Sequence, residues 1–209
     1  MDITIIFFLG LIIALVGVIP PGLLNMTAAK ISLKEGPARG IMFSVGVCVV
    51  VLLQTYLASV FAHYLSKHPE IIEILKRVAL VIFVLITVYF LLIAKKETQD
   101  EVDLERKSKH SRFFQGMFFS AINVFPIPYQ AYMTVTLASV GWLDFSQTSI
   151  MAYIAGAATG TFVMLYVYMF FFDKIKNKSI TSQKSMNYLI GGITGVISIV
   201  TFIQIIKDM

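Results

Sequence analysis

Charge is what this chain lacks over most of its length. Residues 3–29, 40–66, 78–94, 113–143, 145–172 and 185–206 contain no Asp, Glu, Lys or Arg. Only 14% of all residues are charged, against about one quarter in a soluble domain, so a soluble fold is excluded. Cysteine is nearly absent too: Cys48 stands alone, which rules out an internal disulfide or a two-thiol relay and leaves packing as its expected role. No Lys or Arg precedes the first apolar run, and Asp2 stands where a secretory signal carries basic residues, so that run is expected to be retained as the first helix.

What is present is hydrophobic length. About 20 helical residues cross about 30 Å of hydrocarbon, so the six charge-free runs predict an all-α integral membrane protein with six transmembrane helices. The expected organisation is a single transmembrane domain, 1–209. It divides into a first repeat over 1–94, a charged linker over 95–112 and a second repeat over 113–209. Thirteen of the 17 basic residues fall around 30–39, 95–112 and 174–184, while Lys67, Lys76, Arg77 and Lys207 fall on the other side. The side richer in Lys and Arg faces the cytoplasm, which predicts a bacterial inner-membrane protein with both termini external. Orientation and anionic lipid head groups account for the net charge of +5, so no nucleic-acid partner is implied.

Three helices before the linker and three after it force the second half to enter the membrane upside down, the arrangement of an inverted 3+3 repeat. The first helix of each half carries prolines deep in an apolar run: Pro20, Pro21 and Gly22 in VIPPGLLN, and Pro126 and Pro128 in NVFPIPYQ, 106 residues apart from Pro20 to Pro126. Proline removes a backbone donor and clashes with the preceding turn, so both helices are expected to break there, freeing backbone groups that lipid cannot satisfy. Amides flank the breaks: Asn25 after the first, Asn123 before the second, Gln130 following. With Gln54 of the second run, these residues are the candidate substrate-binding set. A pair of proline kinks stabilised by neighbouring helices is the competing reading.

Small residues recur at four-residue spacing at Gly36 and Gly40, Gly156 and Gly160, and Gly191 and Gly195. Close helix packing within the chain is favoured over a homodimer face, which stays open as a possibility. The three histidines, His63, His68 and His110, show no metal-ligand spacing, and no carboxylate lies inside a run, so neither a metal, a cofactor nor a proton relay is expected. The aromatic segment YVYMFFF at 166–172 is expected at the membrane interface.

At Pro21-Gly22, then Gly36, Gly40 and Gly46, and again at FFQGMFFSAIN from Phe113 to Asn123, the chain resembles the lysine-exporter (LysE/RhtB) family of amino-acid and metabolite exporters. The resemblance implies a compact inverted-repeat bundle that moves amino acids or similar small solutes outward. Leu23 stands where members place a second proline, and Val124-Phe125 stand where Pro-Lys usually follows the asparagine. The expected function is therefore secondary transport of a small polar solute, with membrane lipid as the other partner and no enzymatic activity. A non-transporting assembly or receptor subunit, and less so an intramembrane enzyme, are the alternatives.

Overall fold

The computed structural model describes residues 2–20, 22–93 and 108–176, with 188, 191, 192, 195, 196, 198, 199, 201–203, 205 and 206 of the C-terminal stretch. The continuous helices among the described residues are α1 (Ile3–Val18), α2 (Leu23–Glu35), α3 (Pro37–Ser66), α4 (Pro69–Val88), α5 (Lys109–Ile122), α6 (Pro126–Ser139) and α7 (Gln147–Lys176), with a π-helical turn over Tyr89–Ile93. Among the described residues there is no strand.

Contacts divide the chain into two units. One comprises 1–66 and 103–174, and therefore α1 to α3 with α5, α6 and most of α7; the other comprises 67–102 and 175–209. In the second unit, α4 starts at Pro69, where the missing N–H costs nothing, and a Cβ on Gly191 would come within 2.6 Å of the Leu91 side chain.

Within the first unit the order of elements repeats: a short helix of 16 or 14 residues, a second of 13 or 14, then one of 30 residues in both cases. Each 30-residue helix is about 45 Å long, enough to cross a bilayer. The α3 helix and the Gln147–Phe171 part of α7 are apolar enough to do so, and α1 with α2, bent by 83° at their break, would make a third span. Six runs thus do not give six straight spans. The breaks divide the first and fourth runs into helices about 20 to 24 Å long, each too short to cross alone.

Side-chain size is distributed inside out. On α1 the buried positions are Ile6, Gly10 and Ala14, whereas Ile5, Phe8, Ile12 and Val16 are about half exposed. On α5 Gly116 and Ser120 turn inward, and Phe114, Phe118 and Ile122 turn outward. A soluble helix buries its large apolar side chains; here small residues face the protein, as expected when lipid is as apolar as leucine and only close packing favours association.

The small faces meet backbone to backbone. A Cβ on Gly46 of α3 would lie 2.0 Å from the Phe113 carbonyl oxygen of α5, and one on Gly116 would lie 2.0 Å from that of Phe43. On the other pair, a Cβ on Gly156 of α7 would lie 2.0 Å from the Phe7 carbonyl of α1, and one on Gly10 would lie 2.3 Å from that of Tyr153. The two crossings correspond residue by residue: Phe7 to Phe113 and Gly10 to Gly116 are shifts of 106, and Phe43 to Tyr153 and Gly46 to Gly156 are shifts of 110. Each half's first helix therefore rests against the other half's long helix.

Of the six glycines at four-residue spacing, Gly156 and Gly160 meet a backbone carbonyl in this way, whereas Gly40, Gly191 and Gly195 meet side chains first and Gly36 meets nothing within 4 Å. Gly36 has φ +97°, ends α2 in the region open to glycine, and is followed by Pro37 at the first position of α3. Gly40 faces Met169 of α7 and Ser32 of α2. Cys48 packs as expected, its thiol 3.6 Å from the Ala158 carbonyl.

Candidate functional site

The first break opens where α1 ends at Val18 and closes where Gly22, extended at φ −118°, caps α2. Pro21 lies outside the described residues. An interrupted helix leaves carbonyl oxygens without their i+4 donors, and in an apolar environment each must be satisfied or it costs free energy. Three are satisfied here by side chains. The Asn25 amide nitrogen donates to the carbonyls of Val18, at 2.8 Å, and Pro20, at 3.1 Å. The Tyr168 hydroxyl of α7 donates to Ile19 at 2.6 Å. Asn25 is 3% exposed, and its amide protons are turned onto the break.

The second break lies slightly earlier than the proline cluster. The α5 helix ends at Ile122, residues 123–125 are non-helical, and Pro126 is the first residue of α6. Pro126 and Pro128 thus start a helix, in a first turn whose N–H groups have no intrahelical acceptor, and the interruption precedes them. At this break, the Gln54 amide nitrogen of α3 donates to the carbonyls of Ser120, at 3.1 Å, and Asn123, at 3.0 Å. Asn123 contributes its backbone oxygen, and its side chain is half-buried.

Three buried oxygens have no protein partner: Gln54 Oε1 and Ser120 Oγ at this second break, and Thr55 Oγ1 one residue further along α3. Hydroxyls elsewhere in the helices donate to the carbonyl four residues back, as Ser44 does to Gly40, Ser59 to Thr55 and Thr161 to Ala157. Buried polar atoms left over from such pairing are places where a polar solute gains hydrogen bonds.

The α6 helix is held from two sides. Tyr129 donates its hydroxyl to the Ile13 carbonyl of α1 at 2.8 Å, and Tyr153 of α7 donates to Gln130 Oε1 at 2.6 Å. The eight expected residues therefore separate. Asn25, Gln54 and the Asn123 backbone close the breaks, Gln130 tethers α6 to α7, Gly22, Pro126 and Pro128 shape the helix starts, and Pro21 is undescribed. Tyr168, expected with 166–172 at the membrane interface, is instead buried with its hydroxyl on the first break, because an aromatic residue in an apolar run carries no signal of where its hydroxyl points.

A buried ion pair was also missed. Glu35, at the last position of α2, and Arg112, in the first turn of α5, form a two-pronged pair: Arg112 Nε donates to Glu35 Oε2 at 3.0 Å, and Nη2 donates to Oε1. Arg112 Nη1 donates to Gln115 Oε1. The Arg112 side chain is 0% exposed and that of Glu35 is 2% exposed. Both residues flank apolar runs, where charges are ordinarily solvated. The available signal was that Glu35 is the sole acidic residue between Asp2 and Glu70.

Among the described residues no group of three or more His, Cys, Asp or Glu side chains could hold a metal ion. His63 packs its ring 4.5 Å from that of Phe145.

Interrupted helices in an apolar setting, whose freed carbonyls are satisfied by neighbouring helices, mark a polytopic membrane protein of the translocator class. The chain matches the model of the LysE type translocator family over residues 5–204, and it belongs to that family. Comparison with curated proteins and with solved structures gave no match.

Proposed function

We propose that this translocator exports an amino acid or similar small polar solute across the bacterial inner membrane. It does so as six spans in an inverted 3+3 repeat with both termini external. The exchanged crossings carry the reading: α1 against α7 and α3 against α5, with matched glycines, are what a two-fold relation between the halves 1–94 and 113–209 would produce. The linker 95–112 joins them. The Glu35–Arg112 pair supports the topology by putting the 30–39 loop and the end of the 95–112 linker at one face, as alternate loops on the cytoplasmic side require.

Substrate meets the protein at the breaks. Gln54 with its unpartnered Oε1, the Asn123 side chain, and the Pro126 to Gln130 helix start form the second-half surface. Pro21, Gly22 and Asn25 form the first-half surface. Acceptor oxygens suit an ammonium or hydroxyl group, and the α6 N-terminus suits a carboxylate. The test is efflux of radiolabelled amino acids from vesicles loaded with each in turn, with and without a proton gradient. Efflux of at least one solute above that of protein-free vesicles is expected; its failure across the panel would refute transport of this class.

A further inference from the structure

We infer that Arg112 recognises the solute carboxylate at the aqueous end of the transport path, ahead of the breaks, and is held in reserve by Glu35 until that carboxylate takes Glu35's place. The inference rests on the transport reading and assigns that reading a chemical class of substrate.

The pair is placed where its own helices disfavour it. Glu35 is the final residue of α2, at the negative end of the helix dipole, and Arg112 lies in the first turn of α5, at the positive end. Neither charge gains from its helix, so each depends on the other. A buried ion pair is in any case weak evidence for stability, because desolvation of both charges offsets most of their attraction. What such a pair supplies is a guanidinium already stripped of water and shaped for a two-pronged carboxylate.

The means of exchange is adjacent. Arg39 lies one turn beyond Glu35, with Nε 3.9 Å from Glu35 Oε2 and Nη1 donating to the Glu35 carbonyl at 2.8 Å. A small rotation of the Glu35 side chain brings its carboxylate fully onto Arg39, whose side chain is 23% exposed. Arg112 is then open to the carboxylate of a solute, while Gln115 continues to hold Nη1. Glu35 keeps an ionic partner throughout, and Arg112 keeps Gln115 and lacks a carboxylate only between Glu35's departure and the solute's arrival, which limits the cost of an isolated buried ion. The site is one turn beneath the exposed residues Ser108, Lys109 and His110, within reach of the aqueous face.

Glu35 thus acts as an internal competitor, and its removal should tighten binding rather than weaken it. The experiment measures binding of radiolabelled leucine, threonine and lysine to the purified full-length protein, with leucinamide, threoninamide and lysinamide as competitors. For wild type, at least one amino acid binds and its amide competes poorly. Glu35→Gln should lower that Kd on the order of tenfold, since apparent affinity rises by the inverse of the competent fraction. Arg112→Lys should raise it by a similar factor, the planar fork being lost. Should Glu35→Gln fold poorly, the wild-type comparison of acid with amide and the neutral pair Glu35→Gln/Arg112→Gln, which should fold and not bind, decide the matter. Equal competition by acid and amide, unchanged or weaker binding in Glu35→Gln, binding by the neutral pair, or no binding by any variant across the panel overturns the inference. Binding in the expected pattern without vesicle efflux would instead count against transport and leave carboxylate recognition standing.

Discussion

The Gln54 amide nitrogen lies 3.0 Å from the carbonyl oxygen of Asn123, although the two residues belong to different halves of the chain. A side chain in the middle of one long helix thereby completes the end of a helix interrupted in the other half. Tyr168 does the same for Ile19 in the opposite sense, from α7 to the end of α1. Each break takes at least one brace from the other half of the chain, with Asn25 adding its own at the first, so neither break is satisfied by its own half alone.

Gln54→Leu keeps approximate volume and removes both donated bonds, leaving the Ser120 and Asn123 carbonyls buried without them. A loss of about 1–3 kcal/mol is expected, because a buried acceptor forfeits its full desolvation free energy. Thermal melting in detergent checks this: a melting temperature equal to that of wild type would show that the brace contributes nothing.

Replacement of glycine by alanine separates the crossings from the open positions. Gly46→Ala and Gly156→Ala put a methyl 2.0 Å from a backbone carbonyl that cannot rotate away, so the helices must part, at about 1–3 kcal/mol or more each. Gly192→Ala meets nothing within 4 Å and should be neutral. Folded yield by size-exclusion chromatography reads the difference, and equal yields would dismiss the close crossings.

The two asparagines should part company. Asn25→Leu deprives the Val18 and Pro20 carbonyls of their donor and should reduce folded yield. Asn123→Leu leaves the backbone bond to Gln54 in place, so folded yield should hold while transport per folded molecule falls. Normal flux in Asn123→Leu would remove its side chain from the path.

The Asp144 carboxyl, before α7 and outside the apolar spans, is held down to about 2 by hydrogen bonds from Ser146 and Ser149. Its folded pKa lies below its ordinary 3.8, so its contribution to stability is present above that value and fades as pH falls towards 2. The melting-temperature gap between wild type and Asp144→Asn should therefore be constant from pH 7 to 5 and close below pH 4. A gap that widens on acidification would reverse the assignment.

Orientation is tested by tags on Met1 and Met209 in intact spheroplasts. Both should be cleaved by added protease; protection of either would contradict the distribution of basic residues.

The sequence made the apolar runs and the first break legible because both follow from single-residue chemistry: hydrocarbon tolerates no charge, and proline no helical donor. It placed the second interruption three residues late, since Pro126 and Pro128 serve equally well to begin a helix as to end one. The glycine spacing in α7 was visible as a close-packing signal, but its partner, α1, was not. The tyrosine braces and the Glu35–Arg112 pair were illegible for a common reason: a contact across 77 or 149 residues leaves no trace in local periodicity.

The exchanged glycine crossings mean that neither half owns a complete interior. The α1 helix has its seat on α7 and α5 has its seat on α3, so a fragment ending before the linker would expose Gly10 and Gly46 with nothing to meet them. Two copies of one such fragment could supply each other with the missing surface. Carrying both halves in one chain keeps each glycine face beside the backbone it meets.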